Sequence, residues 1–202
     1  MRLVINAKLR RGWDKFMRPV GRFLARTPLS PDAVTYFGVL LQAGCAWLIV
    51  DGRLLLAGLV SILAAFADAF DGALARARGV ASKWGAFLDS TTDRLSDALY
   101  LLPIAWLYGV QPDTPTRYDP WVAGLALVAC TFSFLVSYSK ARAESLGYDC
   151  NVGIAERAER LIVIIAALIL DQVLIGVALL AAASFVTLIQ RMVHVARQAR
   201  AA

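Results

Sequence analysis

Asp68-Ala-Phe-Asp71-Gly72-Ala-Leu-Ala-Arg76 and, after eight intervening residues, Gly85-Ala-Phe-Leu-Asp89-Ser-Thr-Thr-Asp93 concentrate four carboxylates and two glycines within 26 residues, at the end of the apolar run Leu54–Ala67. Asp68 and Asp71 are three apart, and Asp89 and Asp93 four apart, so each pair shares one face of a helix. A short basic connection with Arg76, Arg78 and Lys83 joins the pairs. Two antiparallel neighbouring helices would then bring all four side chains to one spot. Next to a bilayer such a cluster is costly: one acidic residue at mid-membrane costs ~2.5–3.5 kcal/mol on insertion scales, and like charges repel besides. Protons, the nearby Arg76 and Arg94, or divalent cations offset that charge. Hard carboxylate oxygens suit Mg2+ or Mn2+, and two such ions balance four charges. Gly72 and Gly85 clear volume beside the acidic face, either for a ligand or for close helix–helix contact.

The rest of the chain places this segment in a membrane. Of 202 residues, 59% are apolar and 18% charged, and the mean hydropathy is +0.61. These values exclude a disordered chain, a disulfide scaffold and most water-soluble folds. Six hydrophobic segments are expected: Val34–Val50; one from Leu54 into Asp68 and Asp71; one from about Trp84 to Val110; Trp121–Tyr138; one from about Glu156 to Leu170; and Val173–Ile189. Asp51-Gly52-Arg53 reads as a tight turn and Gln111–Pro120, with three prolines, as a loop. The expectation is an all-α integral membrane protein, one domain over 1–202, with a six-helix bundle over 33–195.

The first 26 residues lack the apolar block of a secretory signal. Leu9, Trp13, Phe16, Val20 and Phe23 recur at spacings of three and four among basic residues, which predicts an amphipathic helix on an anionic membrane surface or packed on the protein body. Lys and Arg set the orientation: eighteen fall before the first span, in the second-to-third and fourth-to-fifth connections, or in the tail, against Arg53 and Arg117 on the other side. Both termini and the acidic cluster are therefore expected on the cytoplasmic side of the cell membrane. The positive charge belongs to membrane topology, not to a nucleic-acid partner. Cys45, Cys130 and Cys150 have no metal-like or redox-like spacing, and His194 has no partner in sequence. Trp47, Tyr100, Trp106, Tyr108, Tyr118 and Trp121 read as an aromatic belt at the outer interface.

The pattern Asp-x2-Asp-Gly-x2-Ala-Arg-x8-Gly-x3-Asp-x3-Asp over 68–93 resembles the signature of the CDP-alcohol phosphotransferases. That family has six transmembrane helices, usually forms homodimers, and works at the cytoplasmic membrane face. Leu29-Ser-Pro-Asp-Ala-Val-Thr35 resembles the segment that helps hold the cytidine nucleotide, with Asp32 where many members have Asn. Lys140-Ala-Arg-Ala-Glu144, Glu156-Arg-Ala-Glu-Arg160-Leu and Gln190-Arg191 are similar to the phosphatidylinositol phosphate synthases of actinobacteria, with Ala158 where Pro is expected.

The resemblance implies displacement of CMP from CDP-diacylglycerol by a hydroxyl of myo-inositol 1-phosphate. Asp68, Asp71, Asp89 and Asp93 would hold two ions of Mg2+ or Mn2+, and Asp93 would also be the general base. Asp32, Ala33, Val34, Thr35, Gly72, Arg76 and Ser82 would contact the nucleotide. Lys140, Arg160 and Arg191 would bind the acceptor phosphate, while their residue types alone read rather as ordinary cytoplasmic positive charge. Two other readings remain open here. One is a phosphatidylglycerophosphate synthase using glycerol 3-phosphate, which would also use a basic pocket. The other is a divalent-cation or proton transporter, which leaves the glycines and the crowding of acids at one membrane face unexplained.

Overall fold

The computed structural model describes residue 17 and residues 19–80, 82–110 and 117–201. The described residues are helical or irregular, with no strand among them. Beyond a helical stretch over residues 19–24, the described residues form six helices in order: α1 (Pro31–Val50), α2 (Leu54–Arg78), α3 (Lys83–Gly109), α4 (Pro120–Ser145), α5 (Arg157–Ile169) and α6 (Val173–Ala201).

Their ends have local causes. Ser30 Oγ accepts from the Ala33 amide at 3.1 Å and Pro31 occupies the first turn, so α1 begins slightly ahead of the apolar run. It stops at Asp51-Gly52-Arg53, where Gly52 takes φ 75° and Arg53 Nε meets Asp51 Oδ2 at 2.6 Å. Gly79, φ 65°, ends α2 in the same left-handed way. Asp119 caps α4: its Oδ1 accepts from the Trp121 and Val122 amides at 2.9 and 3.4 Å.

Among the described residues four helices, α1, α2, α4 and α6, are long and apolar enough to cross a membrane. Helix α3 has the length but carries Lys83, Asp89, Asp93, Arg94 and Asp97 ahead of its apolar stretch from Ala98. Helix α5 has 13 residues, about 20 Å at 1.5 Å per residue, against a hydrocarbon core of about 30 Å. Three helices outrun the expected spans, α2 among them, which continues past Asp71 to Arg78. Helix α4 continues past Tyr138 to Ser145, and α6 past Ile189 to Ala201. Backbone hydrogen bonding does not stop where hydropathy falls. Leu9, Trp13 and Phe16 of the expected amphipathic helix lie outside the described residues, as do residues 111–116 of the expected loop. Residues 19–24 are helical, with Phe23 exposed.

The contacts divide the chain into two compact units, and α1, α2 and α3 each contribute to both. The first takes residues up to Leu41 and Ile62–Asp93. Here Gly21 lies directly on α2: a Cβ at this position would stand 2.6 Å from the Ala73 carbonyl oxygen. Arg78, in the last turn of α2, donates to the carbonyls of Leu29 at 2.6 Å and of Thr27, fastening the segment that leads into α1.

The second unit comprises Gln42–Ser61 and Arg94–Ala202. Its core draws Cys45, Ile49, Leu54, Ala57, Ile104, Leu107, Ala126, Leu168 and Val177 together. Small residues permit close helix approach, as membrane packing favours. A Cβ on Gly58 would stand 2.5 Å from Ile169 Cγ1, and one on Gly176 would collide with Ala167 Cβ. Ser96 Oγ donates to Gln42 Oε1 at 2.6 Å, satisfying both buried groups. Leu127, Ile162, Ile175, Leu179 and Val186 are exposed, a surface suited to lipid rather than water. In the α5–α6 turn Asp171 takes φ 52°, a backbone state more usual for glycine. Arg117 holds its carboxylate at 2.8 and 3.3 Å and reaches Tyr108 Oη at 3.3 Å. The Asp171 bond raises the Arg117 pKa above its ordinary value.

Candidate metal and substrate site

The acidic segment straddles the α2–α3 connection as its spacing predicts. Asp68 and Asp71 stand on α2, near the turn closed by Gly79, and Asp89 and Asp93 on α3, which resumes at Lys83. One carboxylate oxygen each of Asp68, Asp89 and Asp93 lie within 4.8 Å of one another. Asp68 and Asp93 are half-buried and Asp89 is exposed. Three hard anionic donors this close, with one face open, fit a divalent cation that also binds a phosphate ligand.

Asp71 is not one of that trio, although it lies close enough for the charges of Asp68 and Asp89 to act on it. It is buried, and its Oδ2 accepts from Thr35 Oγ1 at 2.5 Å. Thr35 sits one turn into α1, with its hydroxyl also 3.2 Å from the Pro31 carbonyl. The side chain expected to face a nucleotide is thus engaged with an acid.

The other expected nucleotide residues lie in the same compact unit. Asp32 Oδ2 accepts from Trp84 Nε1 at 3.2 Å, which ties the first turn of α1 to that of α3. Ala33 is exposed and Val34 half-buried. Gly72 lies under the exposed Arg76: a Cβ there would stand 3.3 Å from Arg76 Nη1. Any larger residue would push the guanidinium aside. Ser82 is exposed, and its Oγ accepts from the Gly85 amide at 3.0 Å, capping α3.

The three basic residues belong to the other unit. Lys140 Nζ lies 3.9 Å from Glu144 Oε1, one turn along α4, and is partly exposed. Arg160 and Arg191 are buried. Arg160 Nη2 donates to Asp97 Oδ2 at 2.8 Å and Nη1 to the Ala155 carbonyl at 3.2 Å. Arg191 Nε donates to the Val152 carbonyl at 3.0 Å and Nη1 to that of Val136. Burying guanidinium groups is expensive unless their protons find acceptors. Burial therefore separates these two from ordinary surface cations, which composition alone could not do. Sequence reasoning missed Asp97, the acid that pairs with Arg160. The signal was present, since Asp97 extends the four-residue spacing of Asp89 and Asp93.

Known proteins resemble the chain over most of its length. A family model described as CDP-alcohol phosphatidyltransferase matches residues 28–194. The archaetidylinositol phosphate synthase of Pyrococcus horikoshii is 42% identical over 186 residues, covering 92% of this chain and 93% of that protein. The phosphatidylinositol phosphate synthase of Cutibacterium acnes is 36% identical over 206 residues, covering 93% of this chain and 96% of its own. The crystal structure of Mycobacterium tuberculosis phosphatidylinositol phosphate synthase with CDP-DAG bound superposes with a TM-score of 0.79 at 32% identity, covering 90% of this chain and 94% of that one. A second structure of that enzyme, in complex with manganese and citrate, gives 0.77 at 33% identity over 89% of this chain and 88% of that one.

Proposed function

The chain belongs to the CDP-alcohol phosphatidyltransferase family, and from that premise we propose that this enzyme transfers the phosphatidyl group of CDP-diacylglycerol to myo-inositol 1-phosphate, forming phosphatidylinositol phosphate and releasing CMP. The observation that carries the reading is the convergence of Asp68, Asp89 and Asp93 within 4.8 Å. The names of the two curated relatives share an inositol phosphate lipid as product, which supports an inositol phosphate acceptor over glycerol 3-phosphate.

The diphosphate of a CDP-lipid resists attack because its oxygens are anionic. When bound, divalent ions, Mg2+ or Mn2+ and two in this reading, neutralise that charge and stabilise the departing CMP oxygen. Asp68, Asp71, Asp89 and Asp93 hold them, with Thr35 fixing the Asp71 carboxylate. Asp93 accepts the proton of the attacking hydroxyl. The hydroxyl oxygen bonds to the lipid phosphorus and the bond from that phosphorus to the CMP oxygen breaks, so atoms and charge balance. Arg76 and Ser82 contact the nucleotide, together with residues 32–35, and Gly72 leaves room for it. Lys140, Arg160 and Arg191 receive the acceptor phosphate, which fixed guanidinium groups suit better than a neutral polyol.

In the same reading residues 1–202 form one membrane domain of six spans, with α3 and α5 completing the four long apolar helices. An amphipathic N-terminal helix lies on the membrane, both termini and the site face the cytoplasm, and two copies form a homodimer. The excess of Lys and Arg on one side supports that orientation.

The two curated names differ in the lipid, phosphatidyl in one and archaetidyl in the other. The test is CMP release by purified enzyme with Mn2+, crossing both CDP-lipids with inositol 1-phosphate, free inositol and glycerol 3-phosphate. CDP-diacylglycerol with inositol 1-phosphate is expected to give the highest kcat/KM. Preference for glycerol 3-phosphate would overturn the acceptor, and preference for the archaetidyl donor would overturn the lipid.

A further inference from the structure

We infer that Asp97 is a positioning residue, which holds the Arg160 guanidinium in the orientation that receives the acceptor phosphate. The inference rests on the proposal that Arg160 binds that phosphate. Asp97 stands on α3 one turn beyond Asp93 and is not among the motif acids. Its side chain is 15% exposed and that of Arg160 6% exposed, with Nη2 and Oδ2 2.8 Å apart.

A guanidinium is planar, so two contacts on different nitrogens fix its plane. Asp97 holds Nη2 and the Ala155 carbonyl holds Nη1, at 2.8 and 3.2 Å. The Nε–H is buried and meets no acceptor among the described residues. A buried ion pair with a purely structural purpose would be expected to satisfy its donors, and a native orphan calls for an explanation. An arginine pinned on its amino nitrogens, with its Nε edge kept for an incoming anion, supplies one. Arg191, in contrast, is anchored by the carbonyls of Val152 and Val136. The two buried arginines thus have different supports, and Arg160 alone is seen to depend on a replaceable side chain.

The experiment measures acceptor-dependent CMP release, with saturating CDP-diacylglycerol and Mn2+, for Asp97→Asn, Asp97→Glu, Arg160→Gln and the double variant D97N/R160Q. Asp97→Asn removes the charge and keeps an acceptor oxygen, while Asp97→Glu keeps the charge and moves it by one methylene. Weakening or displacing this charge-assisted bond is expected to raise the KM for inositol 1-phosphate about tenfold. The expectation holds for both single Asp97 variants, with kcat and the KM for CDP-diacylglycerol within about twofold of the parent enzyme. In the R160Q background, D97N should add nothing further to the acceptor KM, because its effect runs through Arg160. Removing one partner of a buried pair also lowers stability, so the decision rests on the split between KM and kcat and on the cycle, with Asp97→Glu as the variant better able to fold. If Arg160→Gln raises the acceptor KM and neither Asp97 variant does, the positioning role is wrong and the pocket stands. Effects of D97N and R160Q that simply add would also overturn the role. If Arg160→Gln leaves the acceptor KM unchanged, the phosphate pocket itself is wrong.

Discussion

Replacing Asp89 by Asn removes one charge from the acidic trio while keeping its shape. Its carboxylate lies within 4.8 Å of those of Asp68 and Asp93. At that separation two unit charges repel by about 0.9 kcal/mol in water and about 3.5 kcal/mol at an effective dielectric constant of 20. Asp89 is exposed, so the lower figure applies, and two relieved repulsions amount to about 2 kcal/mol. Free of metal, Asp89→Asn should therefore unfold at a higher temperature than the parent. With Mn2+ the order should reverse. An ion at a hundred times its dissociation constant stabilises the parent by about 2.7 kcal/mol, and the variant, short of one anionic donor, forgoes most of that. The assay is thermal unfolding in detergent by intrinsic fluorescence, run with chelator and with Mn2+, alongside Mn2+ binding followed by electron paramagnetic resonance. The crossing of the two curves is the diagnostic. If Asp89→Asn is the less stable protein in both conditions, the carboxylates serve as structural partners of neighbouring cations and the metal reading is refuted.

Three further outcomes are expected. Asp93→Asn should lower kcat for CMP release by about 10²–10⁴-fold, the usual range for a lost general base; turnover near the parent value would remove Asp93 from that role. Thr35→Val deletes the hydroxyl 2.5 Å from Asp71 Oδ2 and should weaken Mn2+ binding about 10–100-fold, whereas Thr35→Ser should restore it in the same resonance titration. Asp119→Ala removes the cap of α4, which accepts from the Trp121 and Val122 amides. It should lower stability by about 1 kcal/mol in denaturant titration, without changing the KM for either substrate.

How much was readable beforehand depended on whether the cause was local. The Asp51-Gly52-Arg53 turn and the starts of the helices follow from punctuation and apolar runs, and the structure has them there. The meeting of Asp68, Asp89 and Asp93 follows from helical spacing plus one short connection. The far ends of α2, α4 and α6 were missed because hydropathy reports the solvent, whereas a helix continues as long as its backbone bonds are made. The separate setting of Asp71 depends on Thr35, 36 positions away, and no periodicity reveals such a partner. The burial of Arg160 and Arg191 was hidden for the same reason. Their acceptors are largely backbone carbonyls, which carry no residue identity.

That dependence on carbonyls shapes what the connection between α4 and α5 can tolerate. Val152 and Ala155 hold Arg191 and Arg160 through main-chain oxygens, and Gln198, near the end of α6, exchanges bonds with the amide and carbonyl of Asp149 at 3.0 and 2.6 Å. The exposed side chain of Ile154 is therefore free to drift over evolutionary time, and Asp149 and Asn151, whose side chains bond each other at 2.6 Å, can change as a pair, while the number of residues between the two helices cannot. A single insertion or deletion there would shift the oxygens out of reach of both arginines at once, and a chain ending ahead of Gln198 would loosen the same loop from the other side.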